Sequence, residues 1–180
     1  MTTEPDYTNA IWVESEPLPD GAYTVAIHYT PDRSISLNAP LARAYARDVT
    51  GAISTAEYAA AVLRQLTTIG VDEDNAAPTV GDLMGKAWKG LDLADGVRAV
   101  PLISQRDRRP YVRIDVDGHP LTQWEPVDAH DHVMNVMNVA AAARLDSAYY
   151  EFLKGPLDLP EEKARGLVAD LAQHREDATR

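Results

Sequence analysis

Residues 23–29 alternate in character. Tyr23, Val25, Ile27 and Tyr29 point one way along an extended chain and Thr24, Ala26 and His28 the other, which predicts an antiparallel strand with one drier face. Val112, Ile114 and Val116 alternate in the same way with Arg113 and Asp115. The period of two predicts six strands: Ile11–Glu16, Ala22–Tyr29, Ser34–Leu37, Val97–Ser104, Tyr111–Val116 and His119–Trp124. Pro19-Asp20-Gly21 and Asp117-Gly118 supply the turn residues of tight hairpins, so the strands read as two consecutive meanders. With no βαβ crossover in the pattern, a doubly wound nucleotide-binding sheet is disfavoured.

After each meander the period lengthens to that of a helix. Leu41, Ala44, Tyr45, Val49 and Ala52 fall on one stripe, interrupted by Asp48, in a helix opening near Pro40. Thr50-Gly51 predicts a break, and Ser54-x-x-Glu57 a capping box that starts a new helix. The acidic run Asp72-Glu73-Asp74 with Pro78 reads as a loop before a short helix over Val80–Gly90. In the second half a helix begins at Pro126 and ends by Gly155-Pro156, whether it stops at Ala143 or continues to Leu153. Asp158-x-x-Glu161 then caps a last helix with a buried stripe of Ala164, Leu167, Val168 and Leu171 and a frayed tail from His174.

The same order of signals thus occurs twice, with matching landmarks roughly 86 to 91 residues apart. The expected architecture is α+β: two approximate repeats, each an antiparallel three-stranded meander followed by helices, packed as two layers. The whole of 1–180 reads as one globular domain, with pseudo-repeats at 11–90 and 97–180. Residue identities between the halves are few, so two similar but unrelated segments remain the competing account.

A chain of 180 residues, 45% hydrophobic and 25% charged, is long enough to bury a substantial core. Its net charge of −11 is spread evenly, with 6 Lys+Arg against 12 Asp+Glu in residues 1–90 and 11 against 16 in 91–180. That field repels phosphate backbones and anionic membranes and disfavours a nucleic-acid partner. No apolar run approaches the ~20 residues needed to span a bilayer. The absence of cysteine removes disulfides, thiolate metal sites and cysteine nucleophiles, and fits a reducing compartment. The start, Met1 to Asp6, is acidic and unlike a secretory signal. The expected location is therefore the cytoplasm.

Motifs for chemistry are sparse. Within Asp128-Ala129-His130-Asp131-His132, Asp128 and His132 share a helix face, whereas His130 and His132 diverge by about 160° and cannot easily hold one metal. A polar helix N-terminus, where Asp also suits the dipole, is the plainer account. Asp72-Glu73-Asp74-Asn75 lacks the glycine and terminal glutamate of a calcium loop. Neither a phosphate loop, a nucleophile elbow nor a zinc-protease motif is present. Neither a metal nor another cofactor is expected. Met134 and Met137 could line a groove, but at helical spacing core packing is the default.

One local contrast remains. Glu14, Glu16 and Asp20 surround the first hairpin tip of the first half, while Arg106, Arg108, Arg109 and Arg113 surround its counterpart in the second. In an acidic chain, four arginines form a candidate partner-binding site for an acidic surface or a second copy. The plainer account is a solvated turn whose arginines guard a sheet edge. The sequence therefore points to a non-enzymatic, protein-binding adaptor, chaperone-like or assembly component. The alternative is a small-molecule or metal-dependent enzyme around Asp128 and His132, with His28 or His119 brought in by the fold. A structural or regulatory protein of a phage or mobile element is a third class.

Overall fold

The computed structural model describes residues 11–30, 33–91 and 96–179; the acidic start, Met1 to Asp6, lies outside them. The element order is βββαα twice over. Strands β1 (Trp12–Pro17), β2 (Tyr23–Thr30) and β3 (Arg33–Leu37) precede helices α1 (Ala39–Thr68) and α2 (Glu73–Ala87). Strands β4 (Val97–Ile103), β5 (Pro110–Val116) and β6 (His119–Trp124) precede α3 (Pro126–Lys154) and α4 (Glu161–Thr179). Each sheet is an antiparallel meander, in the order β1-β2-β3 and β4-β5-β6. The fold is α+β with two sheet–helix units, as the periodicities predict. Asp117 and Gly118 both take positive φ, 52° and 77°, the geometry of the tight hairpin that their sequence demands.

Compact packing does not follow the repeat boundaries. One unit joins the chain up to Arg43 with the chain from Asn135 onward; the other is Ala44–Met134. In the first unit, the β1–β2 hairpin meets the helices of the second repeat. Tyr23 packs against a cluster of Tyr150, Leu153, Ala164 and Val168, and its N–H donates to Ser147 Oγ at 2.8 Å. Arg165 of α4 donates to the carbonyls of Leu18 and Pro19 in the turn. A side chain at Gly21, where φ is +88°, would run into the Tyr150 ring.

In the second unit the exchange runs the other way. Ile103 of β4 packs on Ala59, Leu63, Ala76 and Val80 from α1 and α2. Trp88, just past α2, lies over Gly51 and donates its indole N–H to the carbonyl of Ala99 at 2.9 Å. This contact corrects one expectation: α1 runs unbroken through Thr50-Gly51. The glycine marks a close approach, since a Cβ there would lie 2.5 Å from the Trp88 ring. Ser54 is mid-helix and returns its hydroxyl proton to the Thr50 carbonyl, so it is not a cap. Helix α2 starts earlier than predicted, taking Glu73 and Asp74 into its first turn, where their charge complements the helix dipole. Helix α3 takes the longer of its two expected courses, to Lys154, and α4 continues through the expected frayed tail to Thr179.

Central strand β2 is dry on both faces, because Thr24 and Ala26 are buried along with Val25 and Ile27. Thr24 meets the cost of burial by donating to the Leu37 carbonyl at 2.8 Å. On α4, Ala164 and Val168 are buried but Leu167 and Leu171 are exposed, narrowing the expected stripe. None of the helices among the described residues is long and apolar enough to cross a membrane.

Candidate functional site

Three of the four tip arginines are committed inside their own unit. Arg113, on β5, forms a two-pronged pair with Asp115 through Nε and Nη2 at 2.6 and 2.8 Å. Arg108, held at φ +60°, pairs with Glu73, and Arg109 lies 3.6 Å from Glu125. Tyr111 and the Arg109 N–H both reach Asp107, so the turn folds over its own acid. Among the described residues, Arg106 is the tip arginine left exposed without an ion pair.

Asp128 and His132 do not come together. Asp128 is exposed, whereas His132 is 8% exposed and shares a 3.0 Å hydrogen bond between Nε2 and the Tyr45 hydroxyl. The Trp124 ring lies 4.6 Å from the imidazole and Tyr45 meets it edge-on. Burial pushes the His132 pKa down to about 4 and pushes the Tyr45 hydroxyl up, so both are neutral near pH 7. Beside them, Asp48 of α1 is buried and accepts the Leu91 N–H at 2.8 Å. Burial raises its carboxyl pKa, partly offset by that hydrogen bond. This is the geometry of a satisfied polar core. His119 and His130 are exposed.

A more open feature is the outer face of α3. The helix buries Ala129, Val133, Val136, Ala140, Ala143, Tyr150 and Leu153, a three-four spacing that predicts one apolar stripe. Yet Met137, Ala141, Leu145, Ala148 and Phe152 form a second stripe on the opposite side and are exposed, Leu145 at 62% and Phe152 at 48%. Met134 and Met137 thus lie on the surface, correcting the expectation of core packing. Within the first unit the stripe borders a groove of about 340 Å³ lined by Ala39, Arg43, Met137, Ala140, Ala141, Arg144 and Leu145. Arg43 and Arg144 are exposed, and among the described residues neither is paired. The groove therefore offers an apolar base with two available guanidinium groups.

Two further groupings escaped sequence reasoning. Asp146 of α3 is fully buried and receives a two-pronged contact from Arg175 of α4 at 2.6 and 2.8 Å. The pair lines a 650 Å³ hollow with Tyr23, Asn135 and Asn138. Burial, with Asp146 adding to it, raises the Tyr23 pKa. The second is Glu14, Glu16 and His28, whose ligand-capable atoms all lie within 4.8 Å of one another. Alternation along β1 places both glutamates on one face, and the register Trp12↔His28 brings the histidine beside them.

No family model matches the chain, and comparison with curated proteins and with solved structures gives no match.

Proposed function

We propose that this chain is a non-enzymatic assembly component that binds an amphipathic helix of a protein partner in the α3 groove. The carrying observation is that α3 is apolar on two opposite faces and, among the described residues, only one of them is covered. Large apolar patches rimmed by polar groups characterise interaction surfaces, and a helix laid in a groove recognises apolar residues at i, i+3, i+4 and i+7. Arg43 and Arg144 favour acidic residues flanking that apolar seam. The net charge of −11 opposes an acidic partner at a distance. Screening limits that opposition to about 8–10 Å, inside which the two rim arginines dominate. Arg106, in the Ala44–Met134 unit, is a further exposed cation. A cysteine-free chain suits such a role in the cytoplasm.

The test is fluorescence anisotropy with two synthetic helical peptides that share a leucine seam and differ in flanking Glu or Lys. The Glu peptide is expected to bind more tightly by about 2–30-fold, from two surface pairs worth ~0.2–1 kcal/mol each. Arg43→Glu with Arg144→Glu should invert the preference, and Leu145→Asp should abolish binding of both peptides. Equal binding of both peptides, or binding that survives Leu145→Asp, overturns the reading. Sedimentation of the protein alone gives the rival occupant: a dimer dissociated by Leu145→Asp would make a second copy the partner.

A further inference from the structure

We propose that Glu14, Glu16 and His28 form a binding site for a first-row divalent transition cation, ligated by one imidazole nitrogen and two carboxylate oxygens. Three observations carry it. His28 Nε2 lies 2.8 Å from Glu14 Oε1 and 3.4 Å from Glu16 Oε1. The nitrogen is nonetheless buried without a hydrogen bond of acceptable direction. The two facts are consistent, because the carboxylates stand close to the nitrogen but to the side of the line along which its proton or lone pair points.

A lone histidine–glutamate pair would align oxygen with that line. A coordination sphere does otherwise: the metal occupies the line and the other ligands surround it. With metal–nitrogen and metal–oxygen bonds of about 2.0–2.2 Å, neighbouring ligand atoms sit about 3.0 Å apart at a right angle and about 3.4 Å at the tetrahedral angle. The observed 2.8 and 3.4 Å are spacings of this kind. Third, the imidazole is held in plane by Trp12, stacked at 4.6 Å with an interplanar angle of 1°. The ligating nitrogen is thus fixed before a cation arrives. The histidine comes from central strand β2 and the glutamates from edge strand β1. The glutamate side chains are 52% and 39% exposed, which leaves a path for the ion and positions open to water.

The donor set decides the cation class. Imidazole suits zinc and its neighbours, whereas magnesium and calcium prefer all-oxygen surroundings. In the sequence, the divergence of His130 and His132 on one helix and the absence of cysteine argue against a metal; this cluster exists only through strand register.

The test is calorimetric titration of the purified chain with Zn²⁺ and, separately, Mg²⁺. The expected result is one saturable Zn²⁺ equivalent that excess Mg²⁺ does not displace. Glu14→Gln and Glu16→Gln should each weaken it by about tenfold or more, since even changes outside the ligand shell typically cost ~10–100-fold. His28→Gln should weaken it similarly. Both glutamates are part-exposed, so the two amide variants decide the matter even if the histidine variant folds poorly. Absence of saturable Zn²⁺ uptake, uptake unchanged in the Glu14→Gln/Glu16→Gln double variant, or equal competition by Mg²⁺ overturns the proposal.

Discussion

Replacing Gly51 by alanine sets two well-understood effects against each other. Alanine in a helix interior is better than glycine by about 0.5–1 kcal/mol, so on propensity alone Gly51→Ala stabilises α1. The structure predicts the opposite sign. The new Cβ would lie 2.5 Å from Trp88 Cζ3 and 2.7 Å from Cη2, whereas carbon atoms settle about 3.5–4.0 Å apart. The ring must retreat by about 1 Å, and it is tethered, because its N–H donates to the Ala99 carbonyl at 2.9 Å. Overpacking of this kind costs about 1–3 kcal/mol. Less the propensity gain, Gly51→Ala should destabilise the protein by about 0–2.5 kcal/mol. Gly85 in α2 and Gly166 in α4 are internal controls, with nothing within 4 Å of an added Cβ; alanine there should stabilise by about 0.5–1 kcal/mol. Urea unfolding followed by circular dichroism measures all three. In a Trp88→Ala background, Gly51→Ala should become as stabilising as the controls. If Gly51→Ala already matches them with Trp88 in place, the ring does not rest on that glycine and the reasoning fails.

Two further outcomes follow from buried groups. His132 is held at a pKa of about 4, below the ordinary 6.5, so as pH falls the unfolded chain takes up its proton first. Its contribution is complete above about pH 6.5 and is lost progressively down to about 4. Roughly 2 kcal/mol should disappear between pH 7 and 5, seen as a falling urea midpoint whose slope is shallower in His132→Gln; equal slopes would exclude His132 as the cause. Arg175→Met strands the fully buried Asp146 carboxylate without its two-pronged partner. It should cost about 3–5 kcal/mol, most of it recovered when Asp146→Leu is added, and a double-mutant cycle showing no coupling would count against the pair.

The strands were legible to within about a residue because period-two alternation and Asp117-Gly118 are local signals that tertiary packing here reinforces. Gly51 was misread because its cause, the Trp88 ring, lies far along the chain; a helical glycine looks the same whether it ends a helix or makes room for a neighbour. Met134 and Met137 read as packing residues in sequence because apolar residues at helical spacing carry no mark of which face is covered. The tip arginines were visible as a group, but their partners Glu73 and Glu125 lie outside the tip and only the fold pairs them. His28 and its glutamates needed the strand register, which no single segment contains.

The exchange of helices between repeats reorders how the chain is completed as it is made. Ala44–Met134 is one continuous stretch, so by the time Trp124 and His132 leave the ribosome, every element of that unit has been synthesised and it can close. The first hairpin cannot: Ser147, Tyr150, Leu153 and Arg165, which receive it, are more than a hundred residues downstream. At about 5–20 residues per second, the β1–β2–β3 sheet waits roughly 6–28 seconds for its cover. Synthesis runs from one end to the other, but the units are completed from the middle of the chain outward.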